Sequence, residues 1–92
     1  MSLNAEQLDV AADLLRTAPT LREAALQWQQ RYPEVRTMRV SALEMRDETA
    51  ALRLGARSVY FLMSDGHCMS ITLRPEEADA LILTEDEPHG NR

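Results

Sequence analysis

Lysine is absent from this 92-residue chain: all ten cations are arginine, against fifteen acidic residues, for a net charge of −5. The arginines are spread along the sequence and form no stripe. That pattern argues against duplex DNA or RNA as a partner, because phosphate neutralisation supplies most of the affinity in such complexes. A GC-rich genome explains the arginine bias more simply than bidentate recognition of carboxylates does.

Cysteine is nearly absent too. The single Cys68 cannot form an internal disulfide, and a small secreted domain would normally carry several, so a cytoplasmic location is expected. Met1 to Asp9 is acidic, has no continuous apolar stretch, and resembles neither a signal peptide nor a transit sequence. No apolar run approaches membrane-spanning length, so no membrane partner is expected. The three glycines, Gly55, Gly66 and Gly90, are isolated, which leaves no loop to cradle a nucleotide phosphate. His67, Cys68 and His89 offer neither Cys-x-x-Cys nor His-x-x-x-His spacing, so no metal and no cofactor is expected.

What is present is an ordinary globular composition, 45% apolar and 27% charged, in a length that supports one hydrophobic core. Residues 1–86 are expected to form a single α+β domain, followed by a flexible polar tail over residues 87–92. Asn4 with Gln7 reads as a capping box, with Leu3 and Leu8 as a hydrophobic staple, opening a helix that ends before Pro19. Thr20 with Glu23 opens a second helix, whose face is Leu21, Ala24, Ala25, Trp28 and Tyr32 and which Pro33 stops.

From Val35 the period changes to two, marking a strand to Ala42. Val59 to Met63 is continuously apolar, and Asp65-Gly66 supplies a type I′ turn into a second strand, His67 to Leu73. That turn pairs Met63 with Cys68, Leu62 with Met69, and Tyr60 with Ile71. Tyr60, Leu62, Met69, Ile71 and Leu73 then share one face, expected to pack on the helices with Trp28 and with Leu15 or Leu26. Ala80 to Thr84 makes a last strand. The expected architecture is two N-terminal helices on one face of a small antiparallel β-meander of three to four strands. Leu43 to Leu54 is ambiguous between a helix capped by Ser41 and Glu44 and a hairpin around Arg46-Asp47-Glu48-Thr49; the hairpin is favoured.

Adjacent His67 and Cys68 invite a nucleophilic reading, since a histidine can hold a cysteine as thiolate. Neighbours on a strand project to opposite faces, however, which favours a packing role for Cys68. The acidic residues Glu76, Glu77, Asp79, Glu85, Asp86 and Glu87 read as solvating more readily than as a patch for a basic partner. Val59, Phe61 and Met63, on the same face as Cys68, form an apolar stripe left uncovered if the helices take the other face. These four residues are therefore the expected interaction surface, covered either by the Leu43 to Leu54 segment or by another protein chain, a homodimer foremost.

Val59-Tyr60-Phe61-Leu62, Asp65-Gly66-His67-Cys68-Met69-Ser70-Ile71-Thr72, Glu77-Ala78 and Leu81-Ile82-Leu83 resemble a family of small uncharacterised bacterial proteins encoded in nitrogen-fixation gene neighbourhoods. The resemblance covers the last third to half of the chain. It implies an accessory role near metalloenzyme assembly and supplies neither an activity nor a site residue. With no catalytic residues identified, the expected function is a non-catalytic accessory or protein-interaction domain; the alternative is a small thiol-dependent enzyme or redox protein using Cys68.

Overall fold

The computed structural model describes residues 3–66 and 68–86. The chain is α+β, running α1 (Ala5–Thr17), α2 (Leu21–Arg31), β1 (Arg36–Arg39), β2 (Leu52–Leu54), β3 (Arg57–Asp65), β4 (Cys68–Thr72), a 3-10 turn (Pro75–Glu77) and β5 (Ala80–Glu85). The polar tail expected over residues 87–92 lies outside the described residues.

Both helices start where capping chemistry places them. The Asn4 side chain accepts from the Gln7 N–H at 2.8 Å while Gln7 Oε1 accepts from the Asn4 N–H at 2.9 Å, satisfying two amides that α1 leaves without helical partners. Thr20 Oγ1 accepts from the Glu23 N–H at 3.0 Å at the start of α2. The Trp28 indole donates to the Val35 carbonyl at 3.0 Å, so the ring that anchors α2 also fixes the entry into β1.

The sheet is mixed, which corrects the antiparallel meander. Its order is β1-β5-β3-β2, with β4 beside β2 on the same edge of β3. β5 does not extend a β3–β4 meander; it crosses β3, pairs antiparallel with β3's other edge, and accepts β1 in parallel, Thr37 beside Leu81. The physical reason lies in β5 itself. Ala80 to Thr84 is buried at every position, which only an interior strand covered on both faces can achieve.

Leu43 to Leu54 forms neither the favoured hairpin nor a helix. Ser41 to Glu48 makes successive i→i+3 turns, with the Ser41 hydroxyl accepting from the Leu43 N–H, and Leu52–Leu54 pairs instead with Arg57–Val59 around Gly55-Ala56. Gly55 stands at φ 65°, the conformation a tight hairpin turn demands and glycine adopts without steric cost.

The helices cover the opposite face from the one expected. Ala11, Leu15, Ala24 and Trp28 pack with Val59, Phe61, Leu81 and Leu83, while Tyr60, Leu62, Ala80 and Ile82 form a second cluster under Met45. Leu26 is exposed. The turn segment thus lids a sheet face as anticipated, but the Tyr60 face, where the tyrosine hydroxyl donates to the Met45 carbonyl at 3.4 Å.

One arginine ties the layers together. Arg57 on β3 donates through Nη1 to the carbonyls of Leu15 (3.1 Å) and Ala18 (2.7 Å), through Nη2 to Pro19 (3.1 Å), and through Nε to Glu85 (3.0 Å). A cation at a helix C-terminus satisfies carbonyls with no helical partner and complements the helix dipole.

Candidate functional site

The β3–β4 hairpin and the sheet face beside it carry the residues of interest. A type I′ turn at Asp65-Gly66 would need positive φ at both residues, yet among the described residues only Gly55 and Gly66 have it. Asp65 therefore stays in β3 opposite Cys68, and the turn moves one residue onward, with Gly66 at φ 67°. Each β3 residue shifts its partner by two, so Leu62 faces Ile71 and Met63 faces Ser70. A shift of two preserves the faces.

The expected interaction surface does not assemble as an open patch. Val59 (0% exposed) and Phe61 (3% exposed) lie beneath the helices, Met63 is half-buried, and Cys68 is an exposed free thiol. His67, the proposed partner of that thiol, lies outside the described residues. Exposed apolar side chains of the sheet sit instead on the Tyr60 face, while Leu26 on α2 and Leu43 in the turn segment are exposed too. Met69 (63% exposed) and Leu73 (56%) alternate along and beyond β4, and Met38 (39%) lies on β1. Between Met38 and Met69 lies a groove of roughly 360 Å³, lined at its centre by the buried Leu62 and Ala80 and around it by Pro33, Gln29 and Arg36. Met45 covers the part of this face around Tyr60 and Ile82. The signal for it in the sequence is the Met69, Ile71 and Leu73 alternation, which has the same pattern as a helix-facing core.

The outer edge of β3 near the hairpin turn is fixed by Asp79. Its Oδ2 accepts from the Ser64 N–H at 2.8 Å and the Ser64 hydroxyl at 3.0 Å, while its own N–H donates to the Leu62 carbonyl at 2.8 Å. The Ser64 backbone hydrogen bond, foremost, holds the Asp79 carboxyl below its ordinary value of 3.8. A lowered folded-state pKa contributes stability at neutral pH that is lost as the pH falls through it. The Ser64 amide resonance is accordingly expected to titrate with a midpoint below 3.8 and to stop titrating in Asp79→Asn; an unchanged titration in that variant would show that another carboxylate is being reported.

The acidic residues near the end of the chain disperse into local pairs. Glu76 and Glu77 meet Arg74, Glu85 meets Arg57, and Asp86 meets Arg53; Glu87 lies outside the described residues. Among the described residues no three His, Cys, Asp or Glu side chains gather into a group that could hold a metal, and no helix is long and apolar enough to cross a membrane. In comparisons with protein-family models, curated proteins and solved structures, nothing significantly matches the chain.

Proposed function

We propose that this protein is a non-catalytic interaction domain whose contact surface is the uncovered part of the Tyr60 sheet face, the groove between Met38 and Met69 and the apolar side of β4. The carrying observation is that two large apolar side chains, Met38 and Met69, stay exposed on one sheet face of a small domain whose other sheet face is buried under its helices, with Leu73 exposed just beyond β4. Methionine suits such a surface, since its unbranched, polarisable side chain adapts to different contacts. The resemblance to proteins of nitrogen-fixation neighbourhoods extends the proposal to an accessory role in metalloenzyme maturation.

A photo-reactive side chain at position 69 tests it. In cells of the source organism, crosslinking from Met69 is expected to give an adduct of defined mass that the same group at Arg22, exposed on α2, does not. Equal labelling from both positions, or none, would overturn the assignment. The exposed thiol of Cys68 supports a second reading, a thiol-dependent enzyme or redox protein. Faster alkylation of Cys68 in the folded than in the denatured chain would favour that reading.

A further inference from the structure

We infer that a second copy of the chain joins at the edge of this surface, by antiparallel pairing of β4 with β4 about a two-fold axis at Ser70, which continues the Tyr60 face and its exposed Met69 from one copy into the other; the inference rests on the interaction reading above. The sheet has outer strands on both sides, and they differ in chemistry. β1 carries Arg36 and Arg39 and β2 carries Arg53, charges of the kind that discourage edge-to-edge pairing. β4, Cys-Met-Ser-Ile-Thr, has no charge and no proline.

The ladder fixes which backbone groups are offered. Residues flanking a two-residue hairpin turn exchange both backbone hydrogen bonds, and hydrogen-bonded and non-bonded pairs then alternate. Cys68, Ser70 and Thr72 therefore point their N–H and C=O groups at β3. The reverse side of β3 agrees with this phase, since the Leu62 carbonyl and the Ser64 N–H both turn away from β4 to meet Asp79. Met69 and Ile71 accordingly direct theirs outward.

With the axis at Ser70, the outward groups of Met69 face those of Ile71 in the second copy, and Ile71 faces Met69. The pairing closes about four backbone hydrogen bonds with no residue left over, at the phase an antiparallel ladder requires. The side chains agree. Met69 meets Ile71 across the axis on the apolar face, an aliphatic cross-strand pair, and the two small Ser70 side chains meet at the close, non-bonded position. An uncharged strand also lets two chains of net charge −5 approach without like charges at the contact. An interface of one short strand per chain falls below the usual size of a stable complex, roughly 1,200 Å² in total, so the dimer is reversible and dissociates on dilution.

The register gives the test. Across the axis the two residues at position 70 lie within disulfide reach, whereas the two at position 68 are four residues out of line, roughly 14 Å apart at ~3.4 Å per residue. Oxidation with diamide is expected to convert the Ser70→Cys, Cys68→Ser protein to covalent dimer and to leave the natural protein, with Cys68 alone, uncrosslinked. The natural protein is expected to rise in sedimenting mass toward twice that of the chain between low and high micromolar concentration. Met69→Glu, at an exposed position, is expected to keep the fold by circular dichroism and lose that rise. A natural protein that stays monomeric, or one in which Cys68 crosslinks as readily as Ser70→Cys, overturns the β4 dimer. A Met69 photo-adduct heavier than two chains, from a protein that sediments as a monomer, sinks the dimer while the interaction reading stands.

Discussion

Replacing Phe61 by glutamate is expected to abolish cooperative folding. Phe61 is 3% exposed and sits opposite Leu81 beneath the helices, in the cluster that also holds Trp28 and Leu15. Removing a buried aromatic ring alone costs roughly 3–5 kcal/mol. Forcing a carboxylate into the same place adds several kcal/mol, unless it takes up a proton or the site opens to water. Against a typical domain stability of about 5–15 kcal/mol, that sum leaves little or no native state. Loss of the sigmoidal thermal transition, followed by circular dichroism, is the expected result. A folded variant with an unchanged midpoint would mean that the helices do not cover this face.

Arg57→Ala is expected to cost about 2–4 kcal/mol, the second-largest effect. The substitution removes three helix-terminal and linker contacts at once, to Leu15, Ala18 and Pro19, together with the ion pair to Glu85. An unsatisfied buried carbonyl costs roughly 1–3 kcal/mol, while the half-exposed Glu85 recovers hydration and adds little. Arg57→Lys is expected to recover only part of the loss, because a single ammonium cannot span the positions that the guanidinium fork reaches. The loss should be localised as well. Amide exchange in the last turn of α1 is expected to accelerate before that in β3 or β5, and uniform acceleration would place the effect elsewhere.

The local features of the sequence were more legible than the global ones, for reasons that particular residues show. Asn4, Gln7, Thr20 and Glu23 act within one helical turn, so their pattern alone located both helices. Val59 to Leu62 is buried on both sides, and a strand apolar at every position does not reveal which face the helices take. In β4, Met69, Ile71 and Leu73 alternate with small and polar residues in the pattern of a core-facing strand, but that strand lies on the sheet's edge and its apolar side is largely open. The hairpin turn failed by one residue because an Asp-Gly pair is compatible with a turn that uses both residues and with one that uses only the glycine. The parallel β1–β5 pair was beyond a local reading, since Thr37 and Leu81 meet only through a crossover that no short pattern encodes.

For the same reason, the open apolar surface lies on the face opposite the Val59, Phe61 and Met63 stripe. With the helices on the Val59 face and not the Tyr60 face, Val59 and Phe61 are buried and the open apolar side chains of the sheet are Met38 and Met69. The lid over Tyr60 gave no periodic signal, because Ser41 to Glu48 is held by consecutive tight turns and contributes only Met45 to the second cluster.

The position of β5 bears on how the chain reaches this state during synthesis. It follows every other strand in sequence yet lies between β1 and β3, so β1 has no neighbour in the sheet until residues 80–85 have left the ribosome. Up to that point α1, α2 and the β3–β4 hairpin can form only transiently, with the backbone groups of β3 unpaired along one whole edge and the helices lacking the Leu81 and Leu83 surface on which they settle. Pairing of distant segments is slow and leaves such intermediates open to aggregation. Folding is therefore expected to wait for β5 and to be all-or-none, and a stalled nascent chain ending before Ala80 should be protease-sensitive throughout.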